Sequence, residues 1–215
     1  MNLALFDFDG TITNQDAFTE FLYFATPKSR LIIGGIIASP VVALYKLGWL
    51  PARFTRPILS RIAYGYRRCN ELDAIAQRFV DHYLPLVIRP EAQQQLEWHK
   101  RNGDEIYVVS ASLSPYLNIW CQQQGIKLVC SQLAIKHNRY SGAYVDGDCS
   151  LENKVRLLKQ SLAQQGQTLE NFRHIYAYGD TYEDVPMLEL AEHKFFAWQP
   201  ITTTGDIERL IKPHR

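Results

Sequence analysis

Short apolar runs alternate with helix-patterned segments from Arg89 onward. Ile106–Val109, Lys127–Cys130, His174–Ala177 and Lys194–Ala197 read as strands, and Asn2–Phe6 as another at the start of the chain. Between them lie Pro90–Arg101, with proline in its first turn and Gly103 past its end, then Pro115–Gln124 ended by Gly125, then Glu152–Gln164 and Val185–Leu190. Strands alternating with helices require a parallel sheet with helices on both faces. The expected fold is therefore α/β, a Rossmann-like three-layer sandwich around a parallel central sheet. Leu133–Ile135 and Gly142–Val145 look like a hairpin around Asn138–Tyr140.

Residues 14–88 interrupt this alternation and read as helices throughout. Asp16 is placed to N-cap a helix reaching about Ala25, with Phe18, Phe21, Leu22 and Ala25 at helical spacing. Asn70–Leu84 carries Leu72, Ile75, Ala76, Phe79 and Val80 on one face, and Pro27, Pro40, Pro51 and Pro57 punctuate the stretch between. The expected division is a core of residues 1–13 and 89–215 with a helical insertion of residues 14–88. A length of 215 residues suits one domain carrying an insertion.

The insertion is unusual in charge. From Phe21 to Asn70 there is no acidic residue, while Lys28, Arg30, Lys46, Arg53, Arg56, Arg61, Arg67 and Arg68 are all basic. Yet the whole chain sums to +1, so its total charge gives no reason to expect a nucleic-acid partner. The uncharged run Leu31–Tyr45 falls short of the roughly 18–20 residues of a spanning helix. It is expected to be a buried helix of the insertion; the other reading is peripheral contact of a basic, apolar surface with an anionic membrane. Cys69, Cys121, Cys130 and Cys149 have no CxxC spacing, which speaks against a zinc ribbon or disulfide framework and for a cytoplasmic location.

In open α/β sheets, sites form where loops leave the carboxyl ends of strands. Asp7-Phe8-Asp9-Gly10-Thr11 leaves the first strand, Ser110 the second, and Gly179-Asp180 with Glu183 and Asp184 a later one; Lys154 begins a helix. Carboxylates at two exits repel one another unless a cation sits among them, and oxygen ligands suit Mg²⁺. The same residues fit phosphoryl transfer. A carboxylate can attack phosphorus, a second can protonate the leaving alcohol, and a lysine and backbone N–H groups can neutralise the phosphoryl oxygens.

These motifs resemble those of haloacid dehalogenase-superfamily phosphatases of the phosphoserine-phosphatase-like branch. The four segments are Asp7-Phe8-Asp9-Gly10-Thr11, Val108–Ser112, Cys149–Val155 and Ala177–Leu188, in order along the chain. The resemblance implies Asp7 as nucleophile and metal ligand, and Asp9 as acid/base whose main-chain carbonyl also binds Mg²⁺. It implies Ser110 and Lys154 as phosphate ligands, with Gly10, Thr11 and Ala111 beside them, and Asp180 and Asp184 at the metal. The insertion becomes a cap over the site. Asp16 stands where phosphoserine phosphatases carry the glutamate that reads the substrate amine, and Arg61 roughly where they carry the arginine for its carboxylate.

The expected activity is thus a Mg²⁺-dependent phosphomonoesterase acting on a small-molecule phosphate ester, phosphoserine-like or an amino-alcohol phosphate, through an aspartyl-phosphate. The alternative substrate is a membrane lipid phosphate such as phosphatidylglycerophosphate, suggested by the acid-free insertion. A phospho-accepting receiver-like module is the alternative of another class; Asp9 speaks against it, since a phosphate store has no use for an acid/base that hastens hydrolysis. Absence of GxxxxGK[ST], and of GxGxxG after the first strand, disfavours P-loop and dinucleotide chemistry.

Overall fold

The computed structural model describes residues 1–211, apart from the side chains of residues 209 and 211. The chain opens with β1 (Leu3–Phe6) and continues through α1 (Ala17–Ala25), α2 (Lys28–Lys46), α3 (Ala52–Tyr64), α4 (Cys69–His82) and α5 (Leu84–Val87). Next come α6 (Pro90–Arg101), β2 (Glu105–Leu113), α7 (Ser114–Gln124), β3 (Lys127–Ser131), β4 (Leu133–Lys136) and β5 (Arg139–Tyr144). The last described elements are α8 (Glu152–Gln164), β6 (Ile175–Gly179), α9 (Val185–Leu188), β7 (His193–Phe196), β8 (Gln199–Ile201) and α10 (Ile207–Ile211).

The main sheet has the order β3-β2-β1-β6-β7-β8. β1 is parallel to both neighbours, with Phe6 opposite Val108 on one side and Tyr178 on the other. Alternation along β1 divides the core. Ala4 and Phe6 join Val108 and Tyr178 under helices that include α4 and α7. Leu3 and Leu5 join Tyr107, Val109 and Ala177 under Leu158 and Leu162 of α8 and Met187 and Leu188 of α9. Both faces are covered, as a parallel sheet demands. The chain leaves β1 toward β2 and returns on its other side at β6, so the carboxyl ends of β1 and β6 flank the crevice where such sheets bind ligands.

The expected parallel sheet between helices is present, and β8 adds to it an antiparallel edge on β7. Several expectations are corrected. β2 extends through Ser110-Ala111-Ser112 instead of stopping at Val109. The β4–β5 turn falls at His137-Asn138, both with positive φ; that backbone suits a two-residue hairpin, but His-Asn lacks the usual glycine signal. His99 is buried: its Nδ1 lies 2.8 Å from Asp104 and its Nε2 3.0 Å from the Tyr178 hydroxyl. Of the two helix tryptophans, Trp120 is buried and Trp98 is exposed.

The largest correction concerns α2. The run expected to be buried lies in a 19-residue helix in which only Gly34 and Ala38 are buried. Gly34 seats it on α3, where a Cβ would meet Ile62 at 2.6 Å. The run is apolar on every side, so no polar face marked which side meets solvent.

Candidate active site

Each predicted strand exit contributes to one place. β1 ends at Asp7, and the chain then makes a tight turn over Phe8–Ile12 with Gly10 at φ +78°. A side chain at Gly10 would be strained there, and its Cβ would stand 2.0 Å from Asp180 Oδ2. Glycine is what lets the Asp7–Thr11 turn approach the β6 exit. Arg89 fixes this turn from the other end of the insertion, donating to the carbonyls of Gly10 (3.0 Å) and Thr13 (3.2 Å).

Lys154, on the first turn of α8, is almost wholly buried. Its Nζ donates to Asp7 Oδ1 and Asp184 Oδ1, both at 2.5 Å, and to the Val109 carbonyl at 2.9 Å. Burial alone would lower its pKa, but Asp184 and Asp7 hold it above the usual lysine range. One ammonium does not neutralise three carboxylates. Burial, then Asp184, keeps Asp7 well above the usual carboxylate range despite Lys154. Burial and Asp184 likewise lift Asp180 to about 6.

Oxygens of Asp7, Asp180 and Asp184 lie within 4.8 Å of one another. Asp184 is fully engaged: Oδ1 takes Lys154, and Oδ2 takes the Asp180 and Thr181 amides and the Thr181 hydroxyl. It orients the loop and the lysine. Asp7 Oδ2 and Asp180 Oδ2 accept no hydrogen bond among the described residues. Excess negative charge with oxygens to spare fits a hard divalent cation such as Mg²⁺.

Asp9 points elsewhere. Its Oδ1 accepts from the Ala17 amide at 2.8 Å and its Oδ2 from the Ser112 hydroxyl, to whose oxygen Tyr116 donates at 2.6 Å. Burial and then Asp16 lift its carboxyl to about 7. Two carboxylates two residues apart thus have different surroundings, as nucleophile and acid/base require.

Asp7, Asp9, Gly10, Asp16, Ser110, Ala111, Lys154, Asp180 and Asp184 all line one cavity of about 690 Å³. Thr11 does not; its hydroxyl turns to Asp180 Oδ1 at 3.2 Å. Asp16 both caps α1, through Thr19, and faces the cavity. Arg61 is not brought to the site: it is exposed, and its backbone lies where a Cβ on Gly142 would meet it at 2.5 Å. Arg56 is there instead, 2.9 Å from Asp148 and 2.6 Å from Glu183. The signal was its position among Ala52, Thr55 and Leu59, a helical stripe that faces the cavity.

Comparisons with known proteins identify the family. The chain is 28% identical over 217 residues to a histidinol-phosphatase of Neisseria meningitidis serogroup C, covering 96% of this chain and 92% of that protein. A Bordetella pertussis protein of unknown function superposes with a TM-score of 0.73 at 23% identity, over 91% of this chain and 89% of that one. A substrate-bound phosphoserine phosphatase superposes with a TM-score of 0.61 at 17% identity, over 98% of each chain. These two show a shared fold. The family model of haloacid dehalogenase-like hydrolases matches residues 4–189, spanning every strand exit described above, and the chain belongs to that family.

Proposed function

We propose that this hydrolase is a phosphomonoesterase that works through an aspartyl-phosphate on Asp7. The observation that carries the reading is Asp7 and Asp9 opening on one cavity, with Lys154 2.5 Å from Asp7. An Asp7 oxygen attacks phosphorus, the ester P–O bond breaks, and Asp9 gives its proton to the departing alcohol. Asp9 then takes a proton from water as the water oxygen attacks the same phosphorus, releasing phosphate and restoring Asp7. Lys154, Ser110 and backbone N–H groups at Gly10 and Ala111 bind the phosphoryl oxygens. Asp7, Asp180 and the Asp9 carbonyl would hold Mg²⁺, which supplies further neutralisation of phosphate charge. The helical segment 14–88 acts as a cap, placing Asp16, Phe18 and Arg56 over the substrate alcohol.

A small amino-alcohol phosphate is the favoured substrate, since Asp16 offers the cavity a carboxylate for an ammonium. The Neisseria relative, a histidinol-phosphatase by name, supports the same class. One observation favours a lipid phosphate as second reading. An apolar cavity of about 500 Å³ between α1, α2 and α3 shares Thr19, Tyr23, Val42, Lys46 and Leu59 with the catalytic one, giving an acyl tail room beside the phosphate.

Acid-quenched turnover followed by peptide mass spectrometry tests the chemistry. Phosphate on the Asp7 peptide is expected; steady turnover by Asp7→Asn would overturn the assignment. Parallel assays with amino-alcohol phosphates and lysolipid phosphates separate the two substrates.

A further inference from the structure

The outer face of α2 meets water with what a soluble surface usually hides. Ile32, Ile33, Ile36 and Ile37 are exposed by 67%, 61%, 71% and 63%, and Leu47, Trp49 and Phe54 extend the patch past the helix end. Contiguous exposed apolar area of this kind marks an interaction site. Its charged residues are all of one sign. Lys28, Lys46 and Arg53 are exposed, and among the described residues none has an acidic partner. Arg53 lies 5.0 Å over the Phe54 ring instead.

We propose that this face docks on an anionic lipid bilayer, with α2 lying in the interface. Apolar side chains entering the headgroup boundary, with lysine and arginine beside them, are the combination that holds interfacial helices. A second copy of the chain is disfavoured, because a two-fold contact would set one cationic face against another. Spanning is disfavoured too. By length and composition α2 passes for a membrane span, but Gly34 and Ala38 are packed and Gly34 presses on Ile62 of α3. The same helix supplies Val42, Tyr45 and Lys46 to the catalytic cavity, so docking brings that cavity to the lipid surface. The proposal does not depend on the phosphatase reading.

Flotation with vesicles of phosphatidylglycerol and phosphatidylcholine, against phosphatidylcholine alone, tests it on the full chain. The protein is expected to float with anionic vesicles and to be released by salt. Lys28→Glu with Arg53→Glu should weaken partitioning more than tenfold, each lost cation alone being worth about fivefold. Ile33→Asp with Ile37→Asp should abolish it while p-nitrophenyl phosphate turnover without vesicles stays intact, which shows the variant is folded. Equal flotation with neutral vesicles, no flotation, or flotation unchanged in both variants would overturn the proposal. So would a concentration-dependent dimer that only the isoleucine variant loses, in the absence of vesicle binding.

Discussion

Arg56 Nη2 on α3 lies 2.6 Å from Glu183 Oε2, in the loop that also carries Asp180 and Asp184. Its Nη1 reaches Asp148 Oδ1 at 2.9 Å. This one guanidinium ties the helical insertion to two loops of the core. Arg56→Ala leaves Asp148 buried without its cation, and breaking such a pair costs about 3–5 kcal/mol. The Glu183 contact, more open to solvent, adds little. The insertion should also close less firmly, raising KM more than it lowers kcat. Urea melts and steady-state kinetics check both. Arg56→Lys should recover part of the stability but not both contacts, since an ammonium does not reproduce the fork.

Asp7→Asn should reduce turnover at least about 10³-fold, because an amide is a poor nucleophile. The fold should tolerate it. Asp7 is crowded by Asp184 and Asp180, and removing one charge relieves that repulsion. In EDTA the variant's Tm should therefore match or exceed that of the parent. Adding Mg²⁺ should raise the parent's Tm and the variant's much less, which differential scanning calorimetry reads without any assay of activity. An equal Mg²⁺ response in both would move the metal away from Asp7.

Gly10→Ala tests the close approach of the two strand exits. Alanine is strained at φ +78°, and its Cβ needs the space that Asp180 occupies. Asp180 must move, and with it the hydrogen bond from Thr11. Loss of stability of about 1–3 kcal/mol is expected, with Mg²⁺ affinity and turnover falling together. Retention of parental Mg²⁺ affinity would show that Asp180 is not a ligand.

Asp7, Ser110 and Asp180 were legible because each sits where an apolar run ends, whereas Lys154, in the first turn of a helix, was joined to them by the resemblance. Asp184 could be placed nearby but not distinguished as an orienting group, because that depends on which oxygen faces Lys154. Arg56 was one of eight cations in an acid-free stretch. Choosing it over Arg61 needed the phase of α3 relative to the core, which tertiary packing sets. The exposure of α2 was hidden for a related reason: a helix apolar all round carries no mark of which side is covered. β8 is short and contains Pro200, a residue that signals an edge at most.

His99 gives the fold a pH dependence separate from the catalytic groups. Burial lowers its pKa, against the raising effect of Asp104. The unfolded chain, with an ordinary histidine near 6.5, takes its proton first as pH falls. The contribution is thus fully present above about pH 6.5 and is lost as pH drops toward the folded value, by up to about 1.4 kcal/mol per unit. Other groups titrate in the same range, so the useful quantity is a difference. Urea stability of the parent minus that of His99→Gln should shrink between pH 7 and pH 5.5. A difference constant with pH would mean that His99 takes up its proton equally in the folded and the unfolded chain.

Asp9→Asn should separate the two halves of the reaction. The side chain accepts hydrogen bonds at both oxygens, from the Ala17 amide and from Ser112. An asparagine keeps only one of these, so a stability loss of about 1 kcal/mol is expected. For an alkyl phosphate the departing oxygen needs a proton as the bond breaks, and turnover should fall by about 10²–10⁴-fold. p-Nitrophenolate leaves with little help, so phosphorylation of Asp7 by p-nitrophenyl phosphate should suffer far less. The second step still needs a base for water, whichever ester was used. The variant should therefore release about one nitrophenolate per enzyme in a rapid burst and then stall, with phosphate held on Asp7. Rapid-quench measurement of the burst, beside single-turnover rates for the alkyl ester, reads both steps. Equal losses for the two esters with no burst would place the acid and base on another group lining the cavity.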